Sequence, residues 1–243
     1  MKWKAILCGA LLTVATASPA FAVVSGQLNL DGGSNQVTVG LTTIDWNPLG
    51  GGTGGFVVGG GTNVTCAGCP IPIGSAGTIK DLPPVPVADF MTFAMVSSLH
   101  YDLSTVGPGS ANTNCATANA VGLSCSPFVG SPFVLTFASP TQTTITLSAA
   151  GIARDGTLPN SNWSGLFTAQ IPNMTPASIQ TFFGCTPGMG VGGCSNLAGT
   201  ITNTYSGSFV ATVTEIPIPE PATLTLLGLG LVGAGIRARR RRQ

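Results

Sequence analysis

Charge is what this sequence is short of. Over 243 residues it has nine Lys and Arg, eight Asp and Glu, and a single His. Seven of the cations lie at the two ends (Lys2, Lys4, Arg237, Arg239, Arg240, Arg241 and Arg242), which leaves Lys80 and Arg154 for the body between residues 23 and 218. Against those two stand seven carboxylates, Asp31, Asp45, Asp81, Asp89, Asp102, Asp155 and Glu215, so the body carries −5 while the whole chain reads +1. Two cations make no electrostatic footprint for a phosphate backbone, which excludes nucleic acid as a partner. With one histidine, a zinc site would depend on cysteines that have another use below, and no cofactor is expected. Catalytic motifs are missing too. No Gly-x-Ser-x-Gly elbow accompanies the many serines, and the glycine-rich stretch 49–61 lacks the Gly-Lys-Ser/Thr of a phosphate loop. Low charge also argues against disorder by repulsion, and enough Val, Ile, Leu and Phe remain for a core.

What is present is clearest at the termini. Lys2 and Lys4 form a positive region, residues 5–14 an apolar one, and Ala20-Phe21-Ala22 a small-x-small site, the three parts of a secretory signal peptide cut after Ala22. At the other end Pro219-Glu220-Pro221 precedes an uncharged apolar run, 222–236, and then Arg237-Ala238-Arg239-Arg240-Arg241-Arg242. In a bilayer that run is expected to form a helix, which satisfies its own backbone hydrogen bonds. Fifteen residues rise only about 22 Å, short of a comfortable span, so snorkelling of Arg237 and local thinning would close the gap. The arginines belong on the cytoplasmic side and the body outside. An ordinary tail anchor is the competing reading.

This ending resembles the PEP-CTERM sorting signal of Gram-negative bacteria, on Pro219, Glu220, Pro221, the apolar segment and the arginines. The resemblance implies recognition by an exosortase, a membrane-embedded processing enzyme that cuts near the Pro-Glu-Pro element. It also implies delivery to the cell surface or medium in bacteria that make exopolysaccharide. On that reading the membrane helix is transient, and signal peptidase and exosortase are partners during export.

Once Cys8 leaves with the signal, six cysteines remain as sequence neighbours: Cys66 and Cys69, Cys115 and Cys125, Cys185 and Cys194. In an exported chain an even count reads as a disulfide framework; six allow fifteen connectivities, and sequential pairing is the expectation. Cys66-Ala67-Gly68-Cys69 also has redox spacing, but Pro70 and flanking Gly and Pro leave no helix to activate a thiol.

Period-two alternation marks strands at 36–41, 87–96, 133–138, 143–147, 165–171 and 208–214, separated by turn signals such as Asp155-Gly156. The expected fold is all-β: one domain over 23–215, an antiparallel, jelly-roll-like β-sandwich between the signal helix and the C-terminal transmembrane helix. One short helix is expected, capped by Thr175 with Pro176 at its first position and stopped at Gly184. The stretches 49–61 and 69–87 read as a glycine-rich surface loop and an extended proline-rich segment outside any central strand.

Candidate sites are weak. His100 and Asp102 share one face of a strand, which raises a secreted hydrolase, and Asp89, Asp102 and Asp155 are paired-carboxylate candidates by elimination. Asp31-Gly32-Gly33 reads as an Asx turn rather than a calcium loop. Trp46 and Trp163 are candidate stacking faces for a carbohydrate-binding module, against burial in the core. The leading reading is a non-enzymatic surface or matrix protein associated with exopolysaccharide or biofilm.

Overall fold

The computed structural model describes residues 23–46, 53–83, 85–157 and 159–213. The expected signal peptide with Ala20 and Ala22, the sorting motif Pro219 to Pro221, the 222–236 segment and Arg237 to Arg242 lie outside the described residues. Among the described residues no helix is long and apolar enough to cross a membrane.

Among the described residues there are thirteen strands and one α-helix. The chain runs through β1 (Gly26–Asp31), β2 (Val37–Val39), β3 (Ile44–Asp45), β4 (Thr53–Val58), β5 (Ala76–Lys80), β6 (Val87–Phe93) and β7 (His100–Val106). It continues through β8 (Ser124–Cys125), β9 (Phe133–Ser139), β10 (Gln142–Arg154), β11 (Ser161–Pro172), α1 (Pro176–Phe182), β12 (Ile201–Asn203) and β13 (Tyr205–Val213). All-β and antiparallel hold; the sandwich does not. Eight strands close on themselves in the order β11-β13-β1-β4-β5-β6-β7-β10, and β10 pairs back onto β11. The result is a barrel. Its closure rests on a long hairpin: β10 and β11 pair from Gln142↔Pro172 to Ala153↔Ser161, and the outer edges of the two strands take the two ends of the remaining sheet.

Alternation along these strands sends one side chain in two to the interior, as on β10, where Thr143, Ile145, Leu147, Ala149 and Ala153 are buried. Aromatic rings meet there in a connected file. Trp46 contacts Phe167 at 4.6 Å between centroids, Phe167 contacts Phe209 at 4.7 Å, and Phe209 contacts Trp163 at 5.6 Å. Trp163 continues to Tyr101 at 5.7 Å, Tyr101 to Phe93 at 5.8 Å, and Phe93 to Phe56 at 5.5 Å. Glycines in the wall make room for this file. A Cβ at Gly54 would lie 1.5 Å from the Trp46 carbonyl oxygen, and one at Gly165 would lie 2.3 Å from the Phe209 ring. This is why β4 and β5 are strands despite their composition: Gly54 leaves room for the Trp46 backbone, and Gly77 lets the Phe56 ring lie against the wall, where a Cβ would come within 2.1 Å of it. The glycine-rich and proline-rich segments are therefore not loops throughout, since both β4 and β5 belong to the closed sheet.

One edge of β10 is shared. Its first half pairs with β9 and its second half with β7, with a register shift between Ala150 and Gly151. Where β9 splays from β7, a three-stranded sheet, β12-β2-β3, covers the opening. Its Val37, Val39 and Ile44 meet Phe133, Ile145 and Leu147 around an apolar cavity of about 20 Å³.

The antiparallel register also gives the barrel two unlike ends. At the exit end Val213 pairs with Ser161, and Gly26 pairs with Ala211, so the described chain starts and leaves on the same side. The β4–β5, β6–β7 and β10–β11 connections lie there. At the opposite, cap end lie the small sheet, α1 and the Cys115–Cys125 and Cys185–Cys194 loops. Helix α1 starts as its sequence indicates, with Thr175 and Ser178 forming a capping box, Pro176 in the first turn, and Gly184 at φ 63° just past its end. Its Gln180 is buried: Oε1 accepts from the Cys115 N–H at 3.0 Å, and Nε2 donates to the carbonyls of Thr113 (2.8 Å) and Pro127 (2.9 Å).

Two stability measurements check this account. Phe209→Ala, which breaks the ring file at a fully buried position, should cost about 3–5 kcal/mol in denaturant unfolding. Gln180→Ala leaves the buried Cys115 N–H without its acceptor and should cost about 1–3 kcal/mol in the same assay.

Candidate functional site

Four ionisable groups, Asp89, His100, Asp102 and Arg154, gather where β6, β7 and β10 meet. Asp89 takes a left-handed backbone conformation, φ 52°, in the β6 bulge between Val87 and Met91, a conformation that Asp adopts more readily than most residues. Its N–H donates to Asp102 Oδ1 at 2.6 Å. Arg154, opposite His100 in the β7–β10 ladder, donates from Nε to Asp102 Oδ2 at 2.8 Å and from its terminal nitrogen to Asp89 Oδ1. His100 Nδ1 lies 2.8 Å from Asp89 Oδ1, close enough for an ion pair but without the alignment of a hydrogen bond. Burial alone would raise the Asp102 carboxyl; the hydrogen bonds from Arg154 and the Asp89 N–H outweigh it and hold the group below the ordinary carboxylate range. The hydrogen bond to Asp102 raises Arg154 in turn.

His100 and Asp102 do share a face, as their spacing indicates, and the fold adds Asp89 and Arg154. The chemistry of the group is that of a clamp. Asp89 and Asp102 hold the same guanidinium, whereas a glycosidase pair needs one protonated acid and room for substrate between the two carboxyls. The clamp ties a strained bulge to two neighbouring strands.

Asp155, the third acid, stands apart from the clamp at the exit end. It is buried, with Oδ2 accepting from the Ala67 N–H at 2.6 Å and Oδ1 from the Thr157 N–H (3.0 Å) and hydroxyl (2.6 Å). It thereby fixes the Cys66–Cys69 loop against the β10–β11 turn. Burial pushes this carboxyl up, but the donated hydrogen bonds, led by Ala67, bring it below its ordinary value. Asp31 makes the expected Asx turn, accepting from the Gly33 N–H at 2.8 Å. The cysteines pair in sequence order: Cys66–Cys69, Cys115–Cys125 and Cys185–Cys194.

The tryptophans are not stacking faces. Trp46 and Trp163 are 1% and 2% exposed, and both belong to the ring file inside the barrel. Trp163 Nε1 donates to the Asp102 carbonyl at 2.9 Å, so the ring is held from the charged side as well. Tyr101 and Tyr205 are buried too.

Instead, the outer wall carries a polar groove of about 590 Å³ across β11, β13 and β1, rimmed by Gly33, Gly59 and Gly60. Asn29, Thr168, Gln170, Thr204 and Ser206 line it, with Asp31 as its one acid. Cross-strand pairs order the surface: Gln142 Nε2 donates to Gln170 Oε1 at 2.8 Å, Thr168 and Ser206 hydroxyls bond at 2.9 Å, and Ser208 Oγ donates to Asn29 Oδ1 at 2.9 Å. Sequence reading misses this groove because its three strands come from distant parts of the chain. The only signal in the sequence is the run of Thr, Ser, Asn and Gln at outward positions.

With the body described, the comparison with known families falls on the C-terminal segment. A family model, the PEP-CTERM protein-sorting motif, matches residues 217–242. The chain carries a PEP-CTERM sorting motif. Its C-terminal position is that of an exosortase substrate, and the motif implies processing by an exosortase and export to the cell surface or extracellular space. No curated protein and no solved structure matches the chain.

The two depressed carboxylates give a pH dependence. Asp102 and Asp155 are lowered relative to the unfolded chain, so their stabilisation is complete above the ordinary carboxylate pKa and is lost as pH falls through their folded values. Melting temperature should therefore fall below about pH 4. Asp155→Asn should melt lower at neutral pH and lose less on acidification than the unaltered protein, as thermal melts across that range would record.

Proposed function

We propose that this protein is a non-enzymatic barrel of the extracellular polysaccharide layer, delivered by exosortase-dependent sorting. The sorting motif carries the reading. Two features of the body support it. The candidate acids are engaged in holding the fold: Asp89 and Asp102 clamp three strands through Arg154, and Asp155 ties two loops. The accessible surface offers hydroxyls and amides in place of charge, chemistry suited to a hydrated, neutral polymer. The polar groove is the part of that surface best shaped to take a glycan chain, and its volume is within the usual range of ligand clefts. With both tryptophans buried, contact with sugar would run through hydrogen bonds alone, which favours weak, repeated engagement over a tight single site.

Deletion of residues 219–243 should abolish sorting to the surface, measured by fractionation and surface labelling; unchanged delivery would sink the targeting claim. The mature protein on a polysaccharide array should be retained weakly by neutral glycans without cleaving them. Released fragments would instead favour a hydrolase.

A further inference from the structure

The exit end of the barrel carries exposed apolar side chains that the core does not use, Ile73 and Met95 the most exposed among them. Ile73, in the β4–β5 connection, is 67% exposed, and Met95, in the β6–β7 connection, is 66% exposed. The two connections are neighbours: the Ala94 N–H donates to the Ala76 carbonyl at 3.0 Å, and the Ser75 N–H closes a turn on the Pro72 carbonyl at 3.1 Å. The chain leaves at this same end. Val213 is paired with Ser161 at the foot of the β10–β11 turn. Eight residues separate Val213 from Ala222, where the apolar segment begins. Even fully extended, that connection reaches only about 30 Å. A barrel on so short a tether, leaving from one rim, has that rim turned toward whatever holds the segment.

We propose that the exit end rests on the bilayer surface while the sorting segment is inserted, with Ile73 and Met95 seated among the lipid headgroups. This rests on the reading of 222–236 as membrane-inserting. Each of these side chains gives up an unfavourable aqueous contact on seating, and the tether supplies a high local concentration that makes two small contacts sufficient. The cap end, with α1 and the Cys185–Cys194 loop, then faces away from the membrane together with its own exposed apolar side chains, among them Val121, Leu197 and Met189, because the short tether leaves from the opposite rim.

The two exposed methionines provide the test, because thioether oxidation follows access. The signal-processed chain, sorting segment intact, is reconstituted into vesicles of phosphatidylethanolamine and phosphatidylglycerol, floated, pulsed with chloramine-T and mapped by mass spectrometry. Met95 should be oxidised several-fold more slowly than Met189. Inserting a flexible Gly-Ser spacer of about 20 residues between Glu215 and Ile216 should restore equal rates. Equal rates in the floated chain without the spacer, or protection that persists with it, would overturn the seating. A chain that fails to float overturns the insertion reading, and the seating falls with it, so the two failures are told apart by the flotation step.

Discussion

The aromatic file from Trp46 to Phe56 is what the rest of this structure depends on. Its rings come from β4, β6, β7, β11 and β13 and from the end of the small sheet, so no single pair of strands owns the core. Rings of this size fill a barrel only where the wall gives way to them, which accounts for Gly77 and Gly165, while Gly54 leaves room for the Trp46 backbone that carries the first ring. The same packing decides what the protein can show to a ligand: aromatic faces spent on the interior are not available outside.

Local signals are legible in the sequence and non-local ones are not. Helix α1 was legible because Thr175, Pro176 and Gly184 each act within a turn of the helix. The disulfides were legible because each partner is the nearest cysteine along the chain. Alternation marked β2, β6, β9, the first half of β10 and the later parts of β11 and β13, but alternation says only which side chains face inward. It does not say which edges meet, and the difference between a sandwich and a barrel is a difference of edges. Strands β4 and β5 leave no hydrophobic period because glycine there makes room for a neighbour, the Trp46 backbone at Gly54 and the Phe56 ring at Gly77. At the charged clamp, the shared face of His100 and Asp102 followed from their spacing, whereas Arg154 joined them through a pairing with β7 about fifty residues away in the chain.

Closure of the wall also bears on life outside the cell. A sheet with free edges offers unpaired N–H and C=O groups to other chains, and charged side chains are the common guard against such pairing. This protein has few charges to use. Joining β10 to β11 removes the long edges, and the outward Thr, Ser, Asn and Gln bond to one another across strands, as Thr78 does with Thr92 at 2.7 Å. A surface of that kind stays hydrated without attracting polyions.

The pairing of β1 with β13, Gly26 opposite Ala211, sets an order of events in time. The first strand to emerge during export gains its longest partner only when the last strand has crossed. Until then the ring of strands is open and its aromatic contents are unsealed. Sealing and the arrival of the sorting segment are consecutive steps on one stretch of chain, so a barrel that is ready to be processed is one that has only just become able to close.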